Sequence, residues 1–263
     1  MNAAPPQIVF LPGLANDAEV WADVRAALAA RAGHGPGTPA GPLLAAALVA
    51  DTHARCATLP QMAAALLAEH AGPLVLVGHS MGGMVAQHAV RLAPERVVGL
   101  ALVATTARPD TPELVQLRTE ACGLFAAGRM DEVLRANVPF AFHPHHAADP
   151  ALVARYFAMV RRAGAAQLIA QNRAVMARED MRAHLAAIDS RRCPTLVLCG
   201  EADLLTPPEM SREIAAAVRG AQLHLLPRSG HMLLLEEPAA VAAVLGGWLA
   251  ALAAVARPTP SSS

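Results

Sequence analysis

The sequence predicts an α/β protein: a mostly parallel, doubly wound sheet with an inserted helical cap. Three observations carry this. Short β-type runs alternate with helical stretches along most of the 263 residues, the pattern of strands joined by crossover helices. Most of those runs are continuously apolar rather than alternating, as parallel strands covered by helices on both faces require. From about Thr106 to Arg192 the alternation stops, and only helical patterns and loop signals remain.

In chain order, strands are expected at Gln7–Leu11, Leu48–Ala50, Leu74–Val77, Val97–Val103, Thr195–Cys199 and Leu223–Leu226. Helices are expected around Asn16–Arg31, Thr58–His70, Met81–Ala93, Pro208–Arg219 and Glu236–Ala256, with Pro94, Gly220 and Pro258 as stop signals. Gly33–Pro42 reads as a surface loop and Arg257–Ser263 as a frayed tail. The chain thus divides into a core of residues 1–105 and 193–263 around a helical insertion at 106–192.

Composition narrows the function classes. The chain is 54% hydrophobic and 16% charged, with a formal net charge of zero. It has ample apolar residues for a large core and no basic stripe for nucleic acid. All 21 basic residues are Arg, so chemistry that depends on lysine is unavailable. Cys56, Cys122, Cys193 and Cys199 lack metal-ligand spacing and read as free thiols of a reducing compartment. No basic residue precedes Arg25 and no apolar run has signal-peptide length, so the expected location is cytoplasmic. Pro238–Ala256 is uncharged, but its large residues (Val241, Val244, Leu245, Trp248, Leu249, Leu252, Val255) form a one-sided stripe. That favours a helix packed on the sheet over a membrane span.

The most informative segment is Leu74–Gly83, LVLVGHSMGG. A buried strand runs into Gly78-His79-Ser80-Met81-Gly82 and helical sequence comes at once after it, the strand–turn–helix context of the G-x-S-x-G nucleophile elbow. Side chains at either outer position of so sharp a turn would collide with the neighbouring strand and helix, and glycine removes the collision. The elbow would lift Ser80 to the carboxyl edge of the sheet, above a helix N-terminus. A glycine-rich turn whose serine merely caps a helix is the plainer alternative.

A serine hydroxyl needs a base to become a nucleophile. Of eleven histidines, His231 stands out, placed in LPRSGHMLLLEEP after the last expected strand, where loops converge on the same crevice as Ser80. The imidazole needs a carboxylate to hold its tautomer. Asp203, in LCGEADLLTPP, comes directly after a strand; Glu201 and Asp110 are rivals. The order Ser80, Asp203, His231 is the order this motif uses. Backbone N–H groups of Met81 and Leu14 are the candidate oxyanion donors. Phe140, Phe142 and Met232 are candidate substrate contacts. His143, His145, His146 and Asp149 invite a metal reading, but a loop cluster with no second ligand group is more often solvated or pocket-lining, and no metal is expected.

These segments together resemble the α/β-hydrolase family, and within it the small capped bacterial serine esterases and lactonases such as 3-oxoadipate enol-lactone hydrolases and pimeloyl-carrier-protein methyl esterases. LPGL, GHSMGG, VATTARPDTPE, PTLVLCGEADLLTPPE and LPRSGHMLLLEEP succeed one another in the family's order over most of the chain. The resemblance implies the triad, an oxyanion hole, a helical cap, a small-molecule ester or lactone substrate and no cofactor. Pro12-Gly13 replaces the family's usual His-Gly, and Asp51–Cys56 lacks its usual glycines. Carbon–carbon bond hydrolysis, lyase or perhydrolase chemistry on the same residues is the alternative, and a ligand-binding receptor is a third reading.

Overall fold

The computed structural model of the chain describes residues 5–33 and 41–255. Strand β1 (Gln7–Leu11) leads through a 3₁₀ turn (Ala18–Trp21) into α1 (Ala22–Gly33). Then come α2 (Gly41–Ala45), β2 (Leu48–Val49), α3 (Thr52–Arg55), α4 (Leu59–Glu69), β3 (Leu74–His79), α5 (Met81–Leu92) and β4 (Val97–Val103). Five helices succeed it without a strand: α6 (Pro112–Ala126), α7 (Met130–Ala141), α8 (Pro144–Ala147), α9 (Pro150–Met176) and α10 (Arg182–Ala186). The chain returns to the sheet with β5 (Thr195–Gly200), α11 (Pro208–Ala217), β6 (Gln222–Leu226), α12 (Leu233–Glu236) and α13 (Pro238–Val255).

The six strands lie in the order β2-β1-β3-β4-β5-β6, and all five pairings are parallel. Every carboxyl end therefore points to one edge. Side-chain alternation along the strands feeds two cores. Ile8, Phe10, Val75, Val77, Ala101, Val103, Leu196 and Leu198 face α1, α13 and part of the inserted helices. Val9, Leu11, Leu74, Leu76, Leu100, Leu102 and Val197 face α4, α5 and α11. Both faces are covered, which is why the strand sequences are apolar throughout.

The expected helix at Asn16–Arg31 divides, because Asp17 caps the 3₁₀ turn by accepting from the Glu19 N–H before α1 begins. Gly41 and Pro42 open α2 instead of closing a loop; residues 34–40 and the tail at 257–263 lie outside the described residues. The uncharged C-terminal stripe is a sheet-packing helix. Val241, Leu245, Trp248 and Leu249 of α13 are buried beside Val24 and Leu28 of α1. Among the described residues no helix is long and apolar enough to cross a membrane. All four cysteines are free thiols; Cys193 and Cys199 are buried, and burial pushes each up to about 12.

Candidate active site

Ser80 stands between the end of β3 and the first residue of α5, with φ 52° and ψ −117°. This left-handed backbone costs a non-glycine residue on the order of 1–3 kcal/mol. Its neighbours hold it. The Ser80 N–H donates to the Val103 carbonyl (2.9 Å), and the Ser80 carbonyl accepts from Gly83 N (2.9 Å) and from Thr105 Oγ1 (2.8 Å). A side chain on Gly82 would fall on the Leu11 and Pro12 carbonyls, and one on Gly78 on the Gly82 carbonyl. Those contacts are the collisions that the sequence pattern removes.

Asp203 lies three residues beyond β5 and is 1% exposed. Its Oδ1 accepts from Leu205 N (2.9 Å) and Thr206 N (2.8 Å), and Oδ2 accepts from the Thr206 hydroxyl (2.8 Å). Burial alone would disfavour the carboxylate. The facing His231 and the hydrogen bonds from His231 and Thr206 outweigh it and hold the carboxyl below its ordinary range. His231 Nδ1 lies 2.9 Å from Asp203 Oδ2, and Nε2 lies 2.9 Å from Ser80 Oγ. A carboxylate only accepts, so Nδ1 carries the proton and Nε2 offers its lone pair to the serine hydroxyl. The structure thus brings together three residues separated by 151 and 28 positions in the chain. Asp203 and His231 are buried; Ser80 is half-buried.

His79 supports this arrangement from behind. Its Nε2–H donates to the His231 carbonyl (3.0 Å), and the two rings lie 5.2 Å apart. Burial first, and then the neighbouring His231, push its pKa down to about 3, so it stays neutral and serves as a fixed donor.

Met81 opens α5, where backbone N–H groups lack an intrahelical acceptor. The turn bearing Leu14 lies against the serine: a Cβ built on Gly13 would be 3.2 Å from Ser80 Cβ. The residues just past Leu14 are held by a buried side chain from α9. Gln171 Oε1 accepts from Ala15 N (2.7 Å), and its Nε2 donates to the His53 carbonyl (2.9 Å), while His53 Nε2 lies 2.8 Å from the Asn16 carbonyl. Arg155 and Arg162, also of α9, pair with Glu19, Asp23 and Asp17 just beyond this turn.

Neither rival carboxylate is the partner of His231. Asp110 is bound by Arg118 (2.9 Å) and Arg178 (2.7 Å), and Glu201 is exposed. Phe142 is buried edge-on to Tyr156, 5.4 Å between centroids, and Met232 is buried with its N–H donating to the Ala141 carbonyl (2.9 Å). Phe140 is 51% exposed. Asp149 caps α9, and His143 Nδ1 accepts from His145 N. No group of three or more His, Cys, Asp or Glu side chains is arranged for a metal among the described residues. A surface depression of about 410 Å³ is lined by Gln87, Arg91, His184 and Arg192 and does not include Ser80.

Thr206, His79, Gln171 and Glu236 (its carboxylate lies beside the His231 loop) do not stand out in the sequence. Thr206 carries a readable signal, the Asp-x-x-Thr spacing of a local cap. Gln171 carries none, since its partner Ala15 is 156 positions away.

Residues 8–244 match the model of the alpha/beta hydrolase family, and the chain belongs to that family. A Klebsiella pneumoniae protein provisionally named a carbamate hydrolase is 28% identical, over 98% of this chain and 99% of its own. The pimeloyl-[acyl-carrier protein] methyl ester esterase of Chromobacterium violaceum is 29% identical over 86% of this chain and 87% of its own. A thermophilic esterase from Thermogutta terrifontis superposes with a TM-score of 0.78 at 26% identity, covering 95% of this chain and 92% of that one.

Proposed function

We propose that the protein hydrolyses a carboxylic ester or lactone of a small molecule through an acyl-Ser80 intermediate, with His231 as base and Asp203 as its orienting carboxylate. The observation that carries this reading is the unbroken path Asp203–His231–Ser80, with both steps at 2.9 Å. The esterase names of the Chromobacterium and Thermogutta relatives support it. His231 Nε2 takes the Ser80 proton as Oγ attacks the carbonyl carbon. The oxyanion is received by the Met81 and Leu14 N–H groups, beside the positive end of α5. Collapse expels the alcohol, which takes the proton from His231. The same imidazole then strips a proton from water, and hydrolysis of the acyl-serine restores the enzyme. Asp203 stays ionised and stabilises the imidazolium.

Residues 106–192 form a cap over this centre in the same proposal, and Phe140, Phe142 and Met232 border the acyl site. The test is hydrolysis of p-nitrophenyl acetate, butyrate, octanoate and laurate by wild type beside Ser80→Ala. Turnover with a chain-length optimum, lost in the variant, supports the reading; equal turnover by both proteins removes it. The carbamate hydrolase named among the relatives favours adding a carbamate ester, whose carbonyl presents the same electrophile.

A further inference from the structure

Glu236 takes no part in the proposed acyl transfer, yet it is a buried carboxylate five residues beyond His231. Its Oε1 and Oε2 lie 2.9 and 3.1 Å from Gly230 N, and Oε2 also accepts from His143 N at 2.8 Å. Gly230 immediately precedes His231; His143 lies 93 positions from Glu236, at the turn between α7 and α8. On the other flank of the histidine, Met232 N donates to the Ala141 carbonyl at 2.9 Å. The backbone on both sides of His231 is therefore fastened to one short strip of the cap, Ala141–His143. A Cβ on Gly230 would stand 2.7 Å from His143 N and from Phe142 C; the two segments meet backbone to backbone, and glycine permits it.

Holding a charge at this place is costly. Burial raises the Glu236 pKa to about 7, although the His143 and Gly230 N–H groups favour the ionised form. The titratable groups it faces are His231 and Asp203. Its neighbour Glu237 instead takes Arg228 (2.7 Å) and His146 (3.5 Å). A hydrophobic residue would fill the same space more cheaply, but it would leave two buried N–H groups without acceptors.

We propose that Glu236 is a positioning residue that locks the Ala141–His143 strip of the cap to the loop carrying His231, so that seating the cap and placing the base are one event. The proposal rests on the acyl-serine reading. Lifting the strip would free Met232 N and take the His143 N–H away from Glu236, so that the loop loses both of its ties to the cap and the imidazole is released from its line to Ser80. The cap then acts on the proton-transfer step and not merely as a wall for substrate.

Glu236→Met, of similar length but without an acceptor, should lower kcat roughly ten- to a hundredfold with KM within about threefold. The rate at which a fluorophosphonate labels Ser80 should fall in parallel. Glu236→Gln, with its amide oxygen at the Oε2 position accepting from both N–H groups and its NH2 having to turn from Gly230 N, should recover part of the loss. His143→Pro breaks the lock from the cap side. Phe142 (φ −120°, ψ 148°) and His143 (φ −57°) already suit a proline at 143, so this variant should reproduce the kcat loss with Glu236 intact. It also carries the test alone if Glu236→Met does not fold, as judged by thermal melting.

A folded Glu236→Met with kcat within twofold of wild type overturns the proposal. So does a Gln variant as impaired as Met, or a His143→Pro enzyme of normal kcat. Wild type that neither turns over esters nor is labelled at Ser80 instead removes the acyl-serine reading, and the proposal with it.

Discussion

Asp203→Asn separates the orienting role proposed for this carboxylate from its place in the fold. The aspartate accepts from two backbone N–H groups at Oδ1 and from Thr206 Oγ1 and His231 Nδ1 at Oδ2. An asparagine of the same shape must keep its oxygen at the Oδ1 position, because turning the amide over would set its NH2 against Leu205 N and Thr206 N. The NH2 then faces His231 Nδ1, which has to accept. The imidazole proton moves to Nε2, and Nε2 now points a donor at Ser80 Oγ, where a base is needed. A base lost by tautomer corresponds to about 10⁴-fold in kcat, or about 5.5 kcal/mol of barrier. The backbone acceptor is retained, so stability should change by only about 1 kcal/mol, or about 2–4 °C in melting temperature at this chain length. The assay is kcat/KM for p-nitrophenyl butyrate, paired with thermal melting. An asparagine variant that melts like wild type and keeps more than a tenth of its activity would refute the assignment of Asp203.

Two further outcomes are expected. Gln171→Leu leaves Ala15 N and the His53 carbonyl buried without partners, which should cost about 2–4 kcal/mol of stability and lower kcat through the Leu14 turn; unchanged melting and kcat would show that the α9 contact does not hold that turn. Acid should act in two phases. His79 (about 3) and His88 (about 4), both depressed chiefly by burial from 6.5, bind protons when unfolded that the folded state refuses, so their contribution is full above pH 6.5 and drains away as pH falls. Glu236, raised from 4.5 to about 7, has the opposite sign and offsets them between pH 7 and 4.5. Urea unfolding should therefore show a partly offset net loss down to pH 4.5, to which His53, also lowered by burial, adds, and a steeper fall below it, where lowered carboxylates such as Asp203 also protonate. Stability that stays level down to pH 3.5 would contradict the burial of these imidazoles in neutral form.

How much of the fold and site is legible in the residues depends on how local its cause is. The strand runs are readable because a strand buried on both faces has to be apolar along its length; Gln7–Leu11 and Val97–Val103 have the same ends in sequence and structure. The elbow is readable because its glycines answer to steric contacts within a few residues and to one neighbouring strand. His231 and Asp203 can be selected by their positions just past strand ends, since a parallel sheet gathers all such loops at one edge. The break at Ala18–Trp21 is hidden, because a single aspartate side chain competing for the backbone decides it. Gln171 and Glu236 are hidden for a different reason. Each acts on a backbone N–H brought near only by tertiary packing, 156 and 93 positions away, and no pattern in a single sequence records such a partner. The apolar residues of the inserted helices are ambiguous for a third reason. The same aromatic residues could line a pocket or hold helices together, and Phe142, Tyr156 and Phe157 are in fact buried in the core.

The most direct test of the central claim is to label the wild-type protein with a fluorophosphonate, map the adduct by tandem mass spectrometry and follow ester hydrolysis in the same sample. One adduct on Ser80, loss of turnover in proportion to labelling, and neither labelling nor turnover in Ser80→Ala are the expected results. Full turnover by a stoichiometrically labelled enzyme, or undiminished ester hydrolysis by Ser80→Ala, would contradict the claim.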